Sequence, residues 1–134
     1  MKNILIVDDN KDILKALHLG LCSCLRDCEI QTALNGEAGM AILKTKQVDL
    51  IITDLDMPVL NGYRFIEKAR HDFPLVPVCV MAGSCLDDAR TRLNAMGVSH
   101  VIQKPFLFEN LAELITNELN LGQPDALTEE TGHA

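Results

Sequence analysis

The sequence predicts an α/β fold, a (βα)5 doubly wound five-stranded parallel sheet, and three observations carry that expectation. Short apolar runs recur at regular intervals along residues 3–119, and amphipathic stretches separate them. The runs are nearly continuous in β-prone apolar residues, as strands covered by helices on both faces must be. Each strand-plus-helix repeat has about the length of a crossover unit, which joins parallel neighbours with a right-handed connection.

Ile4-Leu5-Ile6-Val7 is the first strand. Residues 11–25 then place Ile13, Leu14, Leu17, Leu21 and Leu25 at helical spacing, with Lys11, Lys15 and Arg26 off the stripe and Asn10 at the N-cap position. Glu29-Ile30-Gln31-Thr32-Ala33 alternates as a shorter strand, and Asn35-Gly36 reads as a turn before a short helix marked by Ala38, Ala41, Ile42 and Leu43. Asp49-Leu50-Ile51-Ile52-Thr53 is the third strand, running into Asp54. Pro58 and Gly62 then break the chain, as turn geometry rather than chemistry.

Residues 63–72 form the third helix, with Phe65, Ile66 and Ala69 inward. Val76-Pro77-Val78-Cys79-Val80-Met81 is the fourth strand, with Pro77 near its start, where a missing N–H is tolerated. Residues 86–96 make a helix through Ala89, Leu93 and Met96 that Gly97 stops. Val101-Ile102 is a brief fifth strand, and residues 108–119 carry the last helix on Leu111, Leu114, Ile115 and Leu119.

In open parallel sheets, ligands sit beyond the carboxyl ends of the strands. Asp8-Asp9, Asp54, Ala82-Gly83 and Lys104 all follow strand ends and are therefore expected to converge on one edge. Three carboxylates there repel one another, and a hard divalent cation offsets that repulsion. Mg²⁺ suits oxygen ligands, and Lys104 adds a positive charge for a phosphate oxygen. A carboxylate, a metal and a lysine are the parts for phosphoryl transfer onto an aspartate.

These residues resemble the receiver domain of two-component response regulators, the CheY-like superfamily with its flavodoxin-like fold. The signature is Asp8-Asp9 after the first strand, Asp54-Leu55-Asp56-Met57-Pro58-Val59-Leu60-Asn61-Gly62 after the third, and Lys104-Pro105-Phe106 after the fifth. The resemblance implies that Asp54 accepts a phosphoryl group from a sensor histidine kinase or a histidine phosphotransfer protein. It implies that Asp9 binds Mg²⁺ directly and Asp8 mostly through water, with Asp54 and the backbone carbonyl of Asp56 completing the protein ligands. Lys104 is then the phosphoryl-binding lysine, and the Lys104–Pro105 bond is often cis in this family. A donor helix is expected against Lys11, Ile13 and Leu14 and against Pro105-Phe106, although Leu14 reads equally well as core. By the same resemblance the protein is a signalling module rather than an enzyme, at most catalysing phosphorylation and autodephosphorylation of its own Asp54. Asp54-Leu55-Asp56 also looks like the nucleophile motif of haloacid-dehalogenase-type phosphatases, but that motif follows the first core strand of a generally longer chain.

The sequence departs from the family at two switch positions. Where receivers carry Thr or Ser at the end of the fourth strand, this sequence has Ala82, and Val101 stands where Tyr or Phe is usual. Phosphorylation is expected to survive while the response to it is altered, with the Gly83 N–H or the Ser84 hydroxyl as a substitute contact. A second reading keeps the fold and drops the phosphate, giving a pseudo-receiver that docks a partner through residues 86–119.

Composition limits the remaining possibilities. Twelve Lys and Arg against 19 Asp and Glu leave a net charge of −7, which argues against direct nucleic-acid contact or attraction to anionic lipid. No apolar run approaches the roughly 20 residues of a membrane span, and the start is too short for a signal peptide, so a cytoplasmic location is expected. Cys22, Cys24, Cys28, Cys79 and Cys85 read as reduced packing or surface thiols, and His18, His71, His100 and His133 as surface residues. The receiver is expected to span 1–119, with 120–134 an acidic tail or the start of a linker. The sequence is read as a single-domain regulator acting on a downstream protein, with a receiver continuing past Pro124 as the alternative.

Overall fold

The computed structural model describes residues 1–55, 62–83 and 86–120, with the backbone alone at 86 and 87. In order along the sequence the elements are β1 (Lys2–Val7), α1 (Lys11–Cys24), β2 (Cys28–Ala33), α2 (Gly36–Thr45), β3 (Leu50–Asp54), α3 (Gly62–Asp72), β4 (Val78–Ala82), α4 (Leu86–Ala95), β5 (His100–Gln103) and α5 (Phe108–Glu118). The five strands form one sheet in the order β2-β1-β3-β4-β5, every pair parallel. The predicted (βα)5 architecture is the observed one.

Strand periodicity divides the apolar residues between two layers. Leu5 and Val7 of β1, Ile51 of β3 and Val78, Val80 and Ala82 of β4 face α2, α3 and α4, where Met40, Phe65, Ile66 and Leu93 fill the space. Ile4 and Ile6, Leu50 and Ile52, and Cys79 and Met81 face α1 and α5, against Leu14, Leu17, Leu21, Leu111 and Ile115. Leu14 is therefore core, 5% exposed, which settles its double reading.

Local chemistry explains most boundaries. Asn10 caps α1, its side-chain oxygen accepting from the N–H groups of Asp12 and Ile13 at 2.9 and 3.1 Å. Replacing Asn10 by Ala is expected to cost about 1 kcal/mol, read as a lower urea midpoint at unchanged slope. Gly97, at φ +85°, follows the end of α4 in the left-handed conformation that glycine adopts freely.

Asn35-Gly36 is not a free-standing turn, however. Asn35 is the N-cap of α2, accepting from the Ala38 N–H at 2.8 Å, and Gly36 is already the first helical residue. The same side-chain acceptor that favours turns favours caps, so the dipeptide alone could not separate the two. Among the described residues no helix is long and apolar enough to cross a membrane.

Candidate functional site

Strand register brings the acidic residues to one level. Val7 pairs with Thr53, Asp54 with Met81 and Ala82 with Gln103, so Asp8, Asp54, Gly83 and Lys104 all stand at the carboxyl edge. Backbone bonds extend each ladder by one step: the Asp8 N–H donates to the Ala33 carbonyl at 3.1 Å, Leu55 to Met81 at 3.0 Å and Lys104 to Ala82 at 2.8 Å. The predicted convergence is observed for these residues. Asp56 and Ser84 lie outside the described residues.

Asp8 is 1% exposed and Asp54 5%, whereas Asp9 is open to solvent. Asp8, Asp9 and Asp54 each offer an oxygen within 4.8 Å of the others. The Lys104 ammonium donates to Asp54 Oδ1 at 3.1 Å and lies 3.6 Å from Asp8 Oδ2. Asp8 Oδ1 accepts from the Asn10 backbone N–H at 2.9 Å, so the residue that caps α1 also aims the carboxylate. That second role of Asn10 carries no signal in the sequence. The Lys104–Pro105 bond is cis.

One ammonium faces three carboxylates, and the residual negative charge shapes the titrations. Burial raises the Asp8 carboxyl above its ordinary 3.8, the Asn10 N–H and Lys104 oppose the shift, and Asp54 and Asp9 add to it. Burial pulls Lys104 down, but its bond to Asp54 and the charges of Asp54 and Asp8 more than offset that, leaving it above 10.5.

A carboxyl raised on folding favours the native state while protonated, and that contribution is lost as pH rises from about 3.8 through the folded value. Asp8→Asn is accordingly expected to stabilise the metal-free protein at pH 7 by about 1 kcal/mol, measured as a higher urea midpoint. For Lys104 the contribution is full below 10.5 and lost at higher pH, as the ammonium deprotonates.

The donor set fits a hard divalent cation. Asp8 Oδ2 is buried and accepts no hydrogen bond among the described residues, its nearest positive charge being the Lys104 ammonium at 3.6 Å, which leaves it room to take a metal ion. All three donors are carboxylate oxygens, the ligand type Mg²⁺ prefers.

Of the switch positions, Ala82 ends β4 fully buried, Gly83 has nothing within 4 Å of where a Cβ would stand, and Val101 is half-buried against the α2, α3 and α4 layer. Beside Lys104 a groove of about 500 Å³ is lined by Ile13, Ala16, Leu17, Met81, Pro105 and Phe106. His18, His71 and His100 are exposed, as expected, and His133 and Cys85 fall outside the described residues.

The family model of the response regulator receiver domain matches residues 4–116. The protein belongs to that family. This receiver is 37% identical over 113 residues to the transcriptional regulatory protein PrrA of Mycobacterium tuberculosis, covering 84% of this sequence and 46% of that one. It thus spans about half the length of the curated relatives it matches first. It is also 29% identical to part of the sensor histidine kinase TmoS of Ectopseudomonas mendocina, over 95% of this sequence and 13% of that one. Among solved structures, the chemotaxis protein CheY4 of Vibrio cholerae superposes with a TM-score of 0.82 at 26% identity, covering 89% of this protein and 99% of that one. A CheY-like receiver protein of Methanospirillum hungatei gives 0.79 at 27% identity, covering 90% and 94%. Receivers are signalling modules of two-component systems, generally not enzymes, and they interact with histidine kinases.

Proposed function

We propose that this receiver accepts a phosphoryl group on Asp54 from a histidine kinase or phosphotransfer protein and signals through protein contacts. The observation that carries this reading is the Lys104 ammonium held between Asp54 and Asp8, beside three mutually close carboxylates. A carboxylate oxygen of Asp54 forms the new P–O bond while the P–N bond to the donor imidazole breaks. Lys104 transfers its contact from Asp54 Oδ1 to a phosphoryl oxygen and neutralises charge as it spreads over the equatorial oxygens. Asp8, Asp9 and Asp54, with the carbonyl of Asp56, would hold Mg²⁺, which when bound supplies further charge neutralisation at those oxygens. The groove between α1 and Pro105-Phe106 suits an apolar helix face from the donor. Residues 1–119 form the receiver in this reading, and 120–134 form the tail.

The test is intact mass after incubation with Mg²⁺ and acetyl phosphate. A single phosphoryl adduct is expected, absent in Asp54→Asn and absent when the metal is chelated. Ala82 and Val101 favour a second reading, a phosphate-independent docking module. Partner binding unchanged in Asp54→Ala, with no adduct from any histidine donor, supports that second reading and overturns the first.

A further inference from the structure

A second group of metal-ligand types lies on the α1 and α5 side of the sheet, at the start of the β4–β5 pair. Cys79 and His100 are direct cross-strand partners, and Glu118 closes α5 above them. The Cys79 sulfur, a ring nitrogen of His100 and a carboxylate oxygen of Glu118 all lie within 4.8 Å of one another. The three residues sit 18 to 39 positions apart in sequence, on three different elements, so their meeting is a product of the fold alone.

We infer that Cys79, His100 and Glu118 form a binding site for Zn²⁺ or a similarly thiophilic divalent cation, separate from the acidic pocket. The donor set is sulfur, nitrogen and one carboxylate oxygen, which suits zinc and is poor for Mg²⁺. Three protein ligands leave the fourth tetrahedral position for water. The His100 backbone N–H donates toward the Cys79 sulfur, the kind of second contact that steadies a metal thiolate.

Donors on a tetrahedral zinc stand roughly 3.3–3.6 Å apart by their bond lengths. His100 Nδ1 and Glu118 Oε2 are 2.5 Å apart, so they must part by about 1 Å to admit the ion. The His100 side chain is 55% exposed and has room to turn. On binding, the Zn–S bond forms as the Cys79 S–H bond breaks, and the proton leaves to solvent. A nucleophilic role fits this thiol poorly: burial and then the Glu118 carboxylate push it up to about 12, with only the His100 N–H opposing. Bound metal would tie β4, β5 and the last turn of α5 together.

The test is titration of the whole protein with Zn²⁺, and with Co²⁺ as a spectroscopic probe, in excess Mg²⁺ to occupy the acidic pocket. One ion per molecule is expected, with thiolate-to-cobalt charge-transfer absorption and a higher Tm. His100→Gln and Glu118→Gln should each weaken binding by about tenfold or more, and Cys79→Ser should abolish the charge-transfer band. A variant with Cys22, Cys24 and Cys28 all changed to Ser should bind as the parent does. If Cys79→Ser fails to fold, the exposed His100→Gln carries the test. No stoichiometric binding, binding unchanged in His100→Gln, or binding lost with the Cys22, Cys24 and Cys28 substitutions overturns the inference. Asp54 takes no part in any of these measurements, so their outcome is independent of phosphorylation.

Discussion

Ala82→Thr is expected to enlarge the phosphorylation-dependent changes in the amide NMR spectrum of this receiver, with Asp54→Asn as the silent control. A phosphoryl group shifts a conformational equilibrium only through contacts that differ between the two states. Ala82 ends the strand beside Asp54 and offers a buried methyl group, which cannot accept or donate a hydrogen bond. A hydroxyl that reaches the phosphoryl oxygens adds a charged hydrogen bond worth about 1.5–3 kcal/mol, or about tenfold to a hundredfold in the population ratio. Ala82→Ser adds one atom instead of two and is the control for crowding against Ala89 in the same layer. Spectra that respond to phosphodonor no more in either variant than in the parent would sink the idea that this position limits the response.

Gly62→Ala should cost about 3 kcal/mol, seen as a Tm lower by roughly 10 °C, and should slow adduct formation on Asp54. An added Cβ would stand 2.6 Å from the Leu55 Cα and nearer still to the Leu55 carbonyl oxygen. Both are backbone atoms, so no side-chain rotation relieves the contact. The Gly62 N–H also donates to that carbonyl at 3.0 Å, fixing the start of α3 against the end of β3. Leu55 follows Asp54 directly, and pushing it aside moves the carboxylate away from Lys104. A variant with parental Tm and parental adduct rate would show that the contact relaxes elsewhere at little cost.

Elements and edge residues are legible in the sequence because each rests on local pattern or on a topological rule. The continuous strands Ile4–Val7 and Leu50–Asp54 follow from burial on both faces, and the convergence of Asp8, Asp54 and Lys104 follows from parallel strands ending together. What the sequence could not reveal depends on three-dimensional neighbours. Nothing local says that the Asn10 N–H turns back to Asp8, that Leu14 points wholly inward, or that Leu55 leaves Gly62 no room for a side chain. Cys79, His100 and Glu118 are the extreme case. Spacing along the sequence fails as a guide when the clustered donor atoms come from three separate elements. The cap at Asn35 escapes a sequence reading for a different reason, since caps and turns draw on the same side-chain chemistry.

The alignment of strand ends has a consequence for the fidelity of the signal. Asp8, Asp54 and Lys104 meet only because Val7 stands opposite Thr53, Asp54 opposite Met81 and Ala82 opposite Gln103. A slip of one residue between neighbouring strands displaces one partner by roughly 3.3 Å and turns its side chain to the other face of the sheet. Such a molecule keeps its composition and much of its helix content, yet its Asp54 no longer stands beside Lys104. Reactivity at the edge is therefore a certificate of correct pairing across β1, β3, β4 and β5. In the phosphoacceptor reading proposed above, misfolded copies take up no phosphoryl group and stay silent.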